Sequence, residues 1–118
     1  MTTATLDAEG VVQRQVDAYN ARDIDAFADL FADDVEVYDF PNTLIVKGKK
    51  VFRQRYAERF LHNPDLHAEI HRRFAAGRYV VDFETPRGAQ FGDAPAVAIY
   101  EVADGLITKV WFIREARI

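Results

Sequence analysis

The stretch DIDAFADLFADDVEVYD, residues 23–39, changes its hydrophobic period halfway along, and that change decides the fold. Ile24, Phe27, Leu30 and Phe31 fall on one stripe of a helix, and Asp23 stands where an N-cap belongs. After Asp33–Asp34 the period drops to two. Val35 and Val37 alternate with Glu36 and Tyr38, which predicts a strand ending at Asp39–Phe40–Pro41.

Upstream, Val12, Val16 and Tyr19 share one face of a helix predicted over residues 9–21. Downstream, Leu44–Val46 forms a short strand, and Gly48 precedes a third helix carrying Phe52, Tyr56 and Phe60 at four-residue spacing. Asn63–Pro64 stops it. Only strand patterns follow. One covers 66–75, Ala76–Gly77 turns it into another over 79–85, and Pro86–Arg87–Gly88 with Gly92–Asp93 brackets a loop. Strands over 96–102 and 106–114 are joined by Asp104–Gly105, a two-residue hairpin signal. Helices first and strands after predict an α+β architecture with an antiparallel sheet.

A chain of 118 residues has room for one core, so the expectation is a single domain over 9–118 behind a flexible tail, residues 1–8. The tail has neither the basic start nor the apolar run of a signal peptide, and no stretch reaches the ~20 apolar residues of a membrane span. The absence of cysteine excludes disulfides, thiolate metal sites and cysteine nucleophiles. These features fit a cytoplasmic protein without membrane contact. A net charge of −4 argues against nucleic acid as a partner. The basic run Lys47, Lys49, Lys50, Arg53, Arg55 reads as the solvated side of a helix.

The last two strands are apolar on both faces: Val110 and Phe112 oppose Trp111 and Ile113, and Ala98 and Tyr100 oppose Val97 and Ile99. Helices can cover one face only, so the second predicts a cover of its own. A homodimer through the outer sheet face is the simplest.

The run 23–39, Gly48 with the Tyr56 helix, and VAIYEVADGLITKVWF at 97–112 together resemble the nuclear-transport-factor-2-like superfamily, in its SnoaL-like and ketosteroid-isomerase-like branches. The resemblance spans nearly the whole chain. It implies a cone: three N-terminal helices packed in the concave face of a strongly curved antiparallel or mixed sheet, as in a cystatin-like α+β roll, with a pocket for a hydrophobic small molecule. It does not imply one reaction, because this fold hosts isomerases, cyclases, dehydratases, epoxide hydrolases and silent binders. The resemblance puts Asp39 at the proton-shuttling carboxylate of ketosteroid isomerase, Tyr56 at a supporting tyrosine, and Phe31 at another. The two principal oxyanion donors are absent, since their positions hold Gln15 and Ala98. Tyr19, one turn after Gln15, and Tyr100, sharing the strand parity of Ala98, are the candidate replacements.

Parity sets Asp39 on the face of Val35 and Val37, where burial would raise its proton affinity toward a useful range; the alternative is an exposed strand-end carboxylate before Pro41. Arg114 shares parity with Phe112 and could face Asp39 and bind a substrate oxygen, or be a surface arginine. Tyr19, Tyr56, Tyr100 and Phe112 form an aromatic set that is either core or pocket wall. His67, Glu69 and His71 share a strand face, but the row spans ~13 Å, too long for one ion, so neither metal nor cofactor is expected. The resulting expectation is a cofactor-free isomerase, cyclase or dehydratase using Asp39 as general acid–base on a carbonyl-bearing substrate. A non-catalytic binding domain is the alternative.

Overall fold

The computed structural model describes residues 7–89 and 92–114. The expected tail falls largely outside them. The part within them is ordered, since Asp7 caps helix α1, Ala8–Ala21, by accepting from Gly10 N–H at 2.8 Å. Arg22 ends it in the left-handed region, φ 53°, donating its backbone N–H to the carbonyls of Ala18 and Tyr19. Beyond it, the Asn20 side chain accepts from Ala68 N–H (2.7 Å) and donates to the Ala68 carbonyl (3.2 Å), while the Arg22 guanidinium reaches the Leu66 carbonyl. These bonds fix where the last turn of α1, with Tyr19, meets the sheet.

Helix α2, Ile24–Ala28, begins at the Asp23 cap as expected but stops early. Leu30 and Phe31 lie outside it, because strand β1, Phe31–Asp39, starts at Phe31. The reason is long-range. Ile107 N–H bonds the Leu30 carbonyl at 2.8 Å, and Phe31 pairs with Ile107 in a parallel ladder. Strand β2, Thr43–Lys47, leads to α3, Lys49–His62, through Gly48 at φ 92°, a backbone angle that favours glycine. Strands β3 (His67–Ala76), β4 (Tyr79–Arg87), β5 (Ala96–Ala103) and β6 (Leu106–Arg114) complete the order. Asp104 and Gly105 both have positive φ, 54° and 77°, as a type I′ hairpin turn requires.

The six strands run β2-β1-β6-β5-β4-β3. All neighbours are antiparallel except β1 and β6, so the sheet is mixed. Residues far apart in sequence therefore become central neighbours. The helices cover one face and bury Val12, Val35, Val80, Ala98 and Ile107 completely. A second layer is aromatic. Phe27, 1% exposed, lies within 6 Å of the rings of Tyr19, Phe31, Phe52, Tyr56 and Phe60. The basic run is held at the surface: Lys49 faces Asp33, Arg53 pairs with Asp25, and Lys47 lies 3.9 Å from Glu36.

The uncovered face carries an apolar row across five strands: Phe74, Val81, Ile99, Trp111 and Tyr38 are successive cross-strand partners. A second row joins Phe83, Val97 and Ile113. Phe74 is 61% exposed, and Phe83 and Ile113 are about as exposed as they are buried.

Candidate functional site

Helices and sheet do not close on each other completely. Between them lies a cavity of about 280 Å³, near the small end of the ~300–1,000 Å³ of ligand pockets. Its apolar wall is built by Phe27 and Phe52 from the helices and by Phe31, Val37, Val110 and Phe112 from the sheet. Gln15, Tyr19, Tyr56, Tyr100 and Glu84 give it polar atoms. Arg55, Glu58, Arg59 and Arg114 complete the lining, with Arg55, Glu58 and Arg114 reaching solvent.

The tyrosines expected from the sequence converge here. Tyr19 and Tyr100 are buried, and Tyr56 partly so. Burial raises the pKa of all three, because it disfavours the phenolate, so each stays a neutral hydroxyl at any physiological pH. For Tyr19 the Arg59 guanidinium acts in the opposite direction as a charge and as a hydrogen-bond donor to the phenol oxygen. That geometry leaves the Tyr19 O–H as a donor. Arg59 also sits over the Tyr56 ring at 5.3 Å.

Arg114 lines the cavity, lies 4.7 Å over the Phe112 ring, and donates to Asp39 at 3.2 Å. The expectation of a buried Asp39 is not met. Its side chain is 55% exposed and stands outside the cavity wall. Parity was right, since Asp39 is the cross-strand neighbour of the inward Phe112. But β1 ends there, so no helix covers its last side chain, and Asp39 is the strand-end carboxylate of the alternative reading.

The carboxylate inside the cavity is Glu84, which the sequence did not reveal. Burial raises its pKa to about 7, the negative charge of Asp82 adds to this, and Arg114 and Arg73 oppose it. Asp82, on the same face of β4 and fully buried, is held by both prongs of Arg73, at 2.6 and 3.0 Å. Arg73 in turn donates to Gln13 on α1. Only the register shows this inward set: Asp82 pairs with Ala98 and Glu84 with Ala96, two small buried residues that leave room for acids. Gln15 is 6% exposed, lines the cavity, and its Oε1 has no hydrogen-bond partner among the described residues.

Of the row His67, Glu69 and His71, the last two are drawn into other contacts. Glu69 pairs with Arg87 at 2.6 Å and His71 bonds Thr85 at 2.8 Å. Among the described residues no group of three His, Cys, Asp or Glu side chains could hold a metal ion. No helix among them is long and apolar enough to cross a membrane.

Comparison with known proteins places this geometry. No curated protein matches the chain in sequence. Among solved structures, a cystatin-fold protein from Novosphingobium aromaticivorans superposes with a TM-score of 0.84 at 27% identity, covering 92% of this chain and 99% of that one. A protein with a ketosteroid-isomerase-like fold from Catenulispora acidiphila gives 0.73 at 18% identity, covering 89% and 85%. An epoxide hydrolase from M. tuberculosis gives 0.75 at 19%, covering 92% and 82%. The last two likenesses show the fold alone. The model of the SnoaL-like domain matches residues 12–110, most of the cavity lining among them, and the chain belongs to the SnoaL-like family of the nuclear-transport-factor-2-like fold.

Proposed function

We propose that this protein is a cofactor-free enzyme that moves a proton on a hydrophobic, carbonyl-bearing small molecule, in the manner of an isomerase, cyclase or dehydratase. The observation that carries the reading is Glu84, a carboxyl group facing the aromatic interior of the cavity together with neutral tyrosine hydroxyls. With a pKa near neutrality it is populated both as base and as acid, the condition a proton shuttle needs. The ionised carboxylate takes a proton from the carbon next to the substrate carbonyl, breaking C–H and forming O–H. The negative charge that develops on the carbonyl oxygen meets the hydroxyl of Tyr19, or of Tyr56 or Tyr100. Glu84 then returns the proton to another carbon. In this reading Glu84 takes the role expected of Asp39, whose carboxylate lies outside the cavity and is engaged by Arg114.

Two measurements test it. Between its ordinary value of 4.5 and about 7, the folded protein holds a proton on Glu84 that the unfolded chain has lost. Stability therefore falls as pH rises across that window, by on the order of 3 kcal/mol relative to Glu84→Gln, and levels off above it. A difference between wild type and variant that is flat from pH 4.5 to 8 would refute the assignment. Deuterium exchange into 2-tetralone should then be slowed ~10²–10⁴-fold by Glu84→Gln and little by Asp39→Asn. The reverse pattern returns the role to Asp39. Binding without exchange in the wild type favours the non-catalytic reading, which the presence of Gln15 and Ala98 at the two donor positions supports.

The same proposal includes a homodimer in the cytoplasm, joined through the outer sheet face. Burying the two apolar rows against those of a second copy removes the exposed Phe74, Phe83 and Ile113 from water. Sedimentation at micromolar concentration should give two chains for wild type and one for Ile99→Lys. A wild-type monomer would sink the dimer.

A further inference from the structure

The protein carries a net charge of −4, yet three of the five charged side chains lining the cavity are arginines: Arg55, Arg59 and Arg114, against Glu58 and Glu84. Arg55 and Arg59 flank Tyr56 on α3, and Arg114 stands at the end of β6. Arg59 and Arg114 are further oriented over aromatic rings, Tyr56 and Phe112. The lining also includes the apolar Phe27, Phe31 and Phe52, and Phe27 and Phe52 pack against the Tyr56 ring. Arginines together with an apolar aromatic wall in a volume of about 280 Å³ suit a compact amphiphile with one anionic group.

We propose that the ligand is a small aromatic or alicyclic carboxylic acid, with its carboxylate at the Arg55, Arg59 and Arg114 end and its apolar body against Phe27, Phe31 and Phe52. The inference rests on the small-molecule pocket proposed above and adds the ligand's chemical class; the substrate of the proton transfer is then a keto acid. Guanidinium is suited to the task, because its planar fork matches a carboxylate and its fixed donors are not lost to titration. The Asp39 contact leaves Arg114 available, since it uses one terminal nitrogen of a group with five N–H donors. Arg55 has no ion pair among the described residues. The inward carboxylate, Glu84, works against an anion only when ionised, and Arg114 lies close enough to act on its charge.

The test compares acids with their methyl esters, which keep shape and remove charge. Phenylacetate, cinnamate and 2-naphthoate should each bind about tenfold or more tightly than the ester by calorimetry at pH 7, and added salt should shrink the gap. In Arg55→Met/Arg114→Met, which leaves Arg59 in place, the preference for acid over ester should fall at least ~threefold, with circular dichroism reporting a native fold. Both side chains reach solvent, so the variant is expected to fold. Esters binding as tightly as acids, an acid preference undiminished by the double substitution, or no acid binding below ~10 mM would each overturn the proposal. The outcome is separable from that of the enzyme reading. Acids that bind while 2-tetralone exchange ignores Glu84 leave the ligand class standing without the reaction. Exchange through Glu84 with no preference for acids does the opposite.

Discussion

Arg73→Met is expected to destabilise the protein by about 3–5 kcal/mol, a large share of the ~5–15 kcal/mol that holds a domain of this size together. The substitution keeps most of the apolar stem and removes the charge. What remains is Asp82, fully buried, with its two hydrogen bonds to Arg73 gone. Urea denaturation read by tryptophan fluorescence measures the loss directly, since Trp111 lies in the same sheet, on β6. The attribution has its own control. Arg73→Met with Asp82→Leu removes both charges and should recover most of the loss, because the desolvation of a paired charge is then avoided as well. If Arg73→Met costs under about 1 kcal/mol, or if the double variant is worse than the single, the pair is not what holds β3 and β4 at this point. The same pair touches function. Asp82 raises and Arg73 lowers the proton affinity of Glu84, so the single variant should also move the window over which stability depends on pH to higher values.

Phe27→Ala should cost a comparable amount, about 3–5 kcal/mol, by a different route. Phe27 is the ring around which the aromatic layer is packed, 4.9 Å from Tyr56 and 5.0 Å from Phe31 between centroids. Removing it forfeits those contacts and leaves a void that neighbours on two helices and a strand cannot close together. Because Phe27 also lines the ligand cavity, the void joins the pocket rather than standing alone. Ligands that rescue stability should therefore be larger by about one ring in the variant than in wild type, read as the ligand giving the greatest melting-point shift. A loss below about 1 kcal/mol, with an unchanged ligand-size preference, would show that the aromatic layer reorganises freely.

The elements themselves were legible in the residues, and the reasons are local. Asp23 caps a helix wherever it is followed by Ile24 and Phe27 at helical spacing, and Asp104–Gly105 makes the same turn in any hairpin. Phe52, Tyr56 and Phe60 at four-residue spacing define one helical stripe regardless of what it meets. The boundary that the local pattern placed wrongly, at Leu30–Phe31, is the one set by a distant partner, β6.

The site divides along the same line. Tyr19, Tyr56, Tyr100, Phe112 and Arg114 could be named from parity, since each shares a face with residues that must be buried. Asp39 was placed on the correct face and yet left outside, because parity says which way a side chain points and not where the covering helices stop. Glu84 was hidden for the complementary reason. In the sequence of β4, Tyr79, Val81 and Phe83 alternate with Asp82 and Glu84, and an alternation of period two names two faces without saying which is inside. Alone, that strand would turn its acids to water. Its register against Ala96 and Ala98 turns them inward instead and gives the aromatic face to the outer sheet surface. The sequence alone determined the helices, the strands and the family they resemble, because those follow from contacts a few residues apart. The tertiary structure alone decided which carboxylate sits in the cavity, because that depends on strand pairing and on the small side chains it places opposite.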